Sequence, residues 1–156
     1  MDISLRMLPV YLGLGSNLGN RESNIGKAIE LISGFASVGP MSSMYETYPS
    51  GFSSQPRFLN AAVCVWTNLS PFALMSNLKQ IEVSIGHPRS FPNGPRLIDL
   101  DILIFGLAII HSPHLIIPHP RLATRDFVLK PLAEIAPGLM HPKLNKTISE
   151  VLKELD

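Results

Sequence analysis

Asp99 and Asp101 stand two residues apart in the run Arg96-Leu97-Ile98-Asp99-Leu100-Asp101-Ile102-Leu103-Ile104-Phe105. Residues two apart on a strand share a face, so the carboxylates project side by side while Leu100 and Ile102 fill the other face. Two carboxylates this close in an apolar strand repel and lose hydration unless a cation joins them. A hard divalent ion, Mg²⁺ first of all, is the natural partner of a site built from carboxylates alone. The competing reading pairs one aspartate with Arg96 and leaves the other facing water at a sheet end.

The surroundings favour the metal. Between Val83 and Arg125 these aspartates are the only acids, while Arg89, Arg96, Arg121 and Arg125 and the histidines His87, His111, His114 and His119 all fall there. Guanidinium forks and imidazoles around a carboxylate-bound Mg²⁺ describe a site for a polyphosphate, since metal and arginine share the charge that moves in phosphoryl transfer. An ordinary surface ion-pair network is the bland alternative. Gly13-Leu14-Gly15-Ser16-Asn17-Leu18-Gly19 lacks the third glycine of the dinucleotide fingerprint and the Gly-Lys-Ser/Thr of a P-loop. It is read instead as a tight turn in which Ser16 and Asn17 bond to local backbone.

These residues need elements to hold them. Val10–Leu14 reads as a first strand, with the turn beginning at Gly15. A helix follows from about Arg21, with Ile25, Ile29 and Ile32 on one face and Gly34 as its stop. Met41–Tyr48 reads as a second strand and Phe58–Thr67 as a third, joined by a Gly-, Ser- and Pro-containing loop, Pro49–Pro56. Ser70 caps a helix with Pro71 at its first position and Leu74, Leu78, Ile81 and Ile85 as its buried stripe. A second loop, Gly86–Pro95, leads to a fourth strand, Ile98–Phe105. Thr147-Ile148-Ser149-Glu150 has the form of a capping box before a short last helix. Strand, helix, strand, strand, helix, strand is the order of an antiparallel α+β fold of the split-βαβ kind.

Composition sets the outer bounds. With 156 residues, one domain over 1–156 is expected; 46% hydrophobic and 16% charged residues and a mean hydropathy of +0.22 exclude a disordered chain. A formal charge of +1 leaves no surplus of cations for a nucleic acid or an anionic membrane surface. Cys64 is the lone cysteine, so no internal disulfide framework or cysteine metal cluster forms, and a cytoplasmic location is expected.

Several stretches together resemble the 6-hydroxymethyl-7,8-dihydropterin pyrophosphokinases of folate biosynthesis. They are Gly15-Ser16-Asn17-Leu18-Gly19-Asn20-Arg21, Tyr45-Glu46-Thr47, Phe58-Leu59-Asn60-Ala61-Ala62-Val63, Ile81-Glu82, Asn93-Gly94-Pro95-Arg96-Leu97-Ile98-Asp99-Leu100-Asp101-Ile102-Leu103, and Pro118-His119-Pro120-Arg121 with Arg125, Phe127 and Pro131-Leu132. The resemblance runs from Tyr11 to about Pro137.

It implies a ferredoxin-like antiparallel sheet with helices packed on it as an α/β/α sandwich. It also implies transfer of pyrophosphate from ATP to the pterin hydroxymethyl group, releasing AMP. By the same resemblance Asp99 and Asp101 hold two Mg²⁺ ions. Arg96, His119 and Arg125 hold the triphosphate, Arg89 joins them, and Ile102 is a further nucleotide contact. Arg89, Arg96, Asp99, Asp101 and His119 form the catalytic set. Phe58 and Phe127 sandwich the pterin, Thr47 and Asn60 meet its edge, and Asp99 is counted among its contacts. Glu82 matches an acid near the site, against the plain reading of a solvated helix residue.

The departures thin the positive charge: His87 and Pro92 stand where basic residues are usual, His114 stands where arginine is common, and Ser50 replaces an apolar residue. A weaker or more pH-dependent hold on ATP follows, because histidine is only partly charged at neutrality. Two rival readings remain: a nucleotide- or pterin-binding module of the same fold without catalysis, and a metal-dependent phosphohydrolase. The expected partners are the two small substrates, with no nucleic acid and no membrane, and a monomer is expected.

Overall fold

The computed structural model describes residues 8–48, 56–86 and 95–155. Strand β1 (Leu8–Ser16) leads into helix α1 (Arg21–Ile32), whose first turn is capped by the Asn20 side chain accepting from the Ser23 N–H. Strands β2 (Ser37–Met41) and β3 (Tyr45–Thr47) follow, then the long β4 (Phe58–Thr67). Helix α2 (Pro71–Ile85) starts at Ser70, whose hydroxyl accepts from the Ala73 N–H, and β5 (Asp99–Phe105) completes the main sheet.

Two short hairpins and two helices complete the described chain. The hairpins are β6 (Ile110–His111) with β7 (Ile116–Ile117), and β8 (Met140–His141) with β9 (Lys146–Thr147). A 3₁₀ turn, Leu122–Thr124, precedes α3 (Asp126–Ile135), and α4 (Ile148–Leu155) ends the fold. The Glu150 carboxylate accepts from the Thr147 N–H while the Thr147 hydroxyl accepts from the Glu150 N–H. That is the reciprocal pairing of a capping box.

The sheet order is β2-β4-β1-β5, with β3 also paired to β4, and every pairing is antiparallel. One face packs against α1 and α2: Val10, Leu12 and Leu14 meet Ile25, Ala28, Ile32, Leu74, Leu78 and Ile81. The other face carries Ala62 and Leu103 against Leu129 and Leu132 of α3 and Ile148 and Val151 of α4. Each fully buried leucine or isoleucine stabilises the fold by roughly 1.5–3 kcal/mol relative to exposure. Since α3 and α4 cover only part of their face, the rest of it is left to the site. Among the described residues no helix is long and apolar enough to cross a membrane.

Three expectations need correction. The second strand, read as Met41–Tyr48, is two strands, β2 and β3. Pro40 has no N–H for a ladder, and the register of β2 against β4 shifts between Val38 and Met41, so the edge strand bulges and restarts. The turn placed from Gly15 begins later, because β1 runs on to Ser16. Helix α3 was unforeseen, since Pro131 inside it removes a helical hydrogen bond; burial of Leu129, Pro131 and Leu132 holds the helix together.

Candidate active site

A cavity of about 440 Å³ opens where β1, β4 and β5 end side by side. Its floor follows from register. Asn60, Gly15 and Asp99 lie opposite one another across β4, β1 and β5, and the next row on that face is Ala62, Gly13 and Asp101. Gly13 and Gly15 bring no side chain to this face. A Cβ at Gly15 would lie 3.1 Å from the Asn60 side-chain oxygen and 3.5 Å from the Phe58 ring. The glycines read as a turn thus clear the floor between the acidic strand and the aromatic one.

On the acidic side Asp99 and Asp101 both line the cavity, as the two-residue spacing requires. The Arg96 guanidinium donates to Asp99 at 2.6 Å and lies 3.9 Å from Glu82. Glu82 accepts from the Leu100 backbone N–H at 2.7 Å, between the two aspartates, and pairs with Lys79 at 3.3 Å. Its side chain is only 10% exposed, so it is not a solvated helix residue. The reading in which one aspartate pairs with Arg96 is therefore half met, but Asp101 does not face open water.

Burial of Asp101, with repulsion from Asp99 and Glu82 against the pull of Lys79 and Arg96, pushes its pKa up to about 7. A pKa raised on folding contributes stability below the unfolded value and loses it as pH climbs through the folded one. Without a cation, this contribution is therefore lost between about pH 4 and pH 7. Asp101→Asn carries no such charge. We expect it to stabilise the cation-free chain at pH 8 by on the order of 1–2 kcal/mol and to change little at pH 4. Denaturant unfolding in excess chelator at the two pH values checks this; an equal difference at both would contradict it.

The opposite wall comes from the segment after β7 and the first turn of α3. The His119 backbone N–H donates to the Leu103 carbonyl at 2.9 Å, fixing it to β5. Its Nδ1 accepts from the Arg121 N–H at 3.1 Å, which leaves Nε2 to carry the proton of the neutral ring. Burial first, then Arg125, lowers the His119 pKa below the usual imidazole value, which favours the neutral ring. Burial and Arg121 also lower that of Arg125, whose guanidinium lies 5.3 Å from the Phe127 ring centroid. Phe58, Asn60, Thr47 and Phe127 line the same cavity, and the Asn60 amide donates to the Thr47 hydroxyl at 2.6 Å.

Of the expected site residues, Thr47, Phe58, Asn60, Arg96, Asp99, Asp101, His119, Arg125 and Phe127 converge on this cavity. The Ile102 side chain does not: it is 1% exposed in the core shared with α1 and α2. Arg89, His87, Pro92 and Ser50 lie outside the described residues, and His114 is exposed in the turn between β6 and β7. The sequence reading missed Lys79, Tyr48, Gly13 and Gly15 as lining residues. Lys79 carried a usable signal, its position three residues before Glu82 on one helix.

Among the described residues no group of three or more His, Cys, Asp or Glu converges on a metal position. Mg²⁺ needs fewer, because it takes one or two carboxylates and fills its shell with waters and phosphate oxygens. The Asp99–Asp101 pair fits such an ion, since a cation would relieve the repulsion and desolvation that hold Asp101 protonated.

Residues 11–137 match the family model for 7,8-dihydro-6-hydroxymethylpterin-pyrophosphokinase (HPPK). The chain is 42% identical over 148 residues to the 2-amino-4-hydroxy-6-hydroxymethyldihydropteridine pyrophosphokinase of Aquifex aeolicus, covering 95% of this chain and 92% of that one. It is 47% identical over 127 residues to the enzyme of that name from Bacillus subtilis, covering 80% and 76%. Its fold is similar to the crystal structure of wild-type Plasmodium falciparum HPPK-DHPS, with a TM-score of 0.76 at 17% identity. That match covers 95% of this chain but only 44% of the solved chain, which joins HPPK to a second unit.

Proposed function

This chain belongs to the 7,8-dihydro-6-hydroxymethylpterin-pyrophosphokinase family, whose members transfer pyrophosphate to the pterin hydroxymethyl group in folate synthesis, and we propose that the cavity described above carries that transfer with ATP and Mg²⁺. The observation that carries the proposal is the convergence of two unlike halves in one cavity. One half holds Asp99, Asp101, Arg96 and His119, and the other holds Phe58, Asn60, Thr47 and Phe127.

Moving pyrophosphate and releasing AMP means that the hydroxymethyl oxygen bonds to the β-phosphorus as the bridge to the α-phosphate breaks. Such a transfer depends on in-line positioning and on charge stabilisation more than on covalent help from the protein. Asp99 and Asp101 would hold one or two Mg²⁺ ions, which supply positive charge to the transferring phosphates when bound. Arg96 and Lys79 present cations from one side, and Arg121 and Arg125 from the other. His119 adds a neutral Nε2–H donor whose contribution does not depend on charging the ring. Phe58 and Phe127 offer ring faces to a flat heterocycle, and the Thr47–Asn60 pair offers donors and acceptors to its edge.

A hydrolase would have no use for this aromatic half, whereas a binding module would hold MgATP on the same carboxylates and form no AMP. The sheet order supports the ferredoxin-like, split-βαβ reading; that residues 1–156 act as one domain and as a monomer is part of the same proposal. Removal of divalent cations tests the metal role. We expect excess chelator to abolish AMP formation and added Mg²⁺ to restore it; turnover persisting in chelator would overturn the role.

A further inference from the structure

Asn17, 1% exposed just beyond β1, commits three polar groups to two distant segments. Its side-chain oxygen accepts from the Arg96 backbone N–H at 2.7 Å, and its own backbone N–H donates to the Arg96 carbonyl at 3.0 Å. Its side-chain nitrogen donates to the Pro56 carbonyl at 3.2 Å. Arg96 stands three residues before Asp99, and Pro56 two before Phe58.

The sequence reading gave Asn17 a local turn role, but other groups serve that turn. The Leu18 carbonyl accepts from the Asn24 amide at 2.9 Å and from the Ser16 hydroxyl at 3.4 Å, and Asn20 caps α1. The contacts of Asn17 with Arg96 and Pro56 join the chain entering the phosphate side of the cavity to the chain entering its aromatic side. An amide suits the task because it carries a donor and an acceptor on one short planar group.

We propose that Asn17 is a positioning residue that sets the Arg96 and Phe58 sides of the cavity relative to each other, so that the two substrates meet in line. The proposal rests on assigning Arg96 to the phosphates and Phe58 to the pterin. In-line transfer is sensitive to such alignment, since a misplacement of about 1 Å costs on the order of a hundredfold in rate. A residue that only stabilised the fold would change the folded fraction and not the turnover of folded molecules.

The test compares Asn17→Ala and Asn17→Asp with Arg96→Ala, Phe58→Ala and the corresponding double variants in the full chain. Turnover is measured at saturating substrates. Binding of a non-transferable ATP analogue and of the pterin is measured separately by calorimetry. Asn17→Ala should lower kcat by about tenfold to a hundredfold per folded molecule. In the Arg96→Ala background it should weaken analogue binding by less than about twofold further, and in the Phe58→Ala background pterin binding likewise.

Asn17→Asp keeps the acceptor for Arg96 and loses the donor for Pro56, so pterin binding should weaken more than analogue binding. Unchanged kcat, fully multiplicative losses in the double variants, or a larger loss of analogue than of pterin binding in Asn17→Asp would each overturn the proposal. Should Asn17→Ala fail to fold, Asn17→Asp and its double with Phe58→Ala carry the same comparison. If Arg96→Ala and Phe58→Ala alone leave both bindings intact, the site assignment is what fails.

Discussion

Replacing Asp99 or Asp101 by alanine should lower kcat by at least about a thousandfold, roughly 4 kcal/mol of barrier. Both carboxylates line the cavity, and under the proposed function both hold a divalent cation against the phosphates. The loss should come without collapse of the fold. Asp99 and Asp101 sit on the cavity face of β5, while Leu100 and Ile102 on its other face are 0% and 1% exposed and keep the core. Steady-state kinetics beside a thermal melt separates the two effects. Retention of more than about a tenth of wild-type kcat by either variant would show that the carboxylates do not carry the metal.

Arg96 should come next in effect. Its backbone is fixed by Asn17, so Arg96→Ala removes the guanidinium and little else. We expect kcat to fall about a hundredfold to a thousandfold and the KM for ATP to rise, because a fixed cation beside the transferring group acts mainly in the transition state. Arg96→Lys should recover only part of this, since an ammonium cannot reproduce a planar fork that meets an acidic side chain and a phosphate together. The fork now donates to Asp99 at 2.6 Å. Its removal takes from Asp101 one of the positive charges that offset the repulsion of Asp99 and Glu82, so the cation-free alanine variant should also unfold more easily above pH 7 than the wild type. Near wild-type turnover in Arg96→Lys would contradict the account.

How much of this was legible in the sequence depended on whether a short-range pattern carried it. Helices α1 and α2 announce themselves by apolar spacing, and α2 also by the cap Ser70, and β4 runs over the residues read for it, Phe58–Thr67. The paired carboxylates are equally legible, because alternation along a strand is a local rule. Helix α3 was hidden, since its evidence is tertiary: Leu129 and Leu132 are 0% exposed and outweigh Pro131. The break between β2 and β3 was hidden because Pro40, where the ladder falters, lies just before the stretch read as one strand, Met41–Tyr48.

Within the site, Gly15 looked like a turn residue until register set it opposite Asn60 and Asp99. Glu82 had the plain reading of a solvated helix residue until it proved to be bound to the β5 backbone and paired with Lys79. Asn17 joins residues 79 and 39 positions away, which no local pattern reports. The roles given to Thr47, Asn60 and Phe127 came from the family resemblance. Their own spacing would have left them as sheet-edge and core residues.

The measurement that meets the central claim most directly is AMP formation from ATP and Mg²⁺, with and without 6-hydroxymethyl-7,8-dihydropterin, for this chain and for Asp99→Ala. The account predicts AMP only when the pterin is present, and its disappearance in the variant. AMP or free phosphate released at the same rate without the pterin, or ATP bound with no AMP formed, would contradict it.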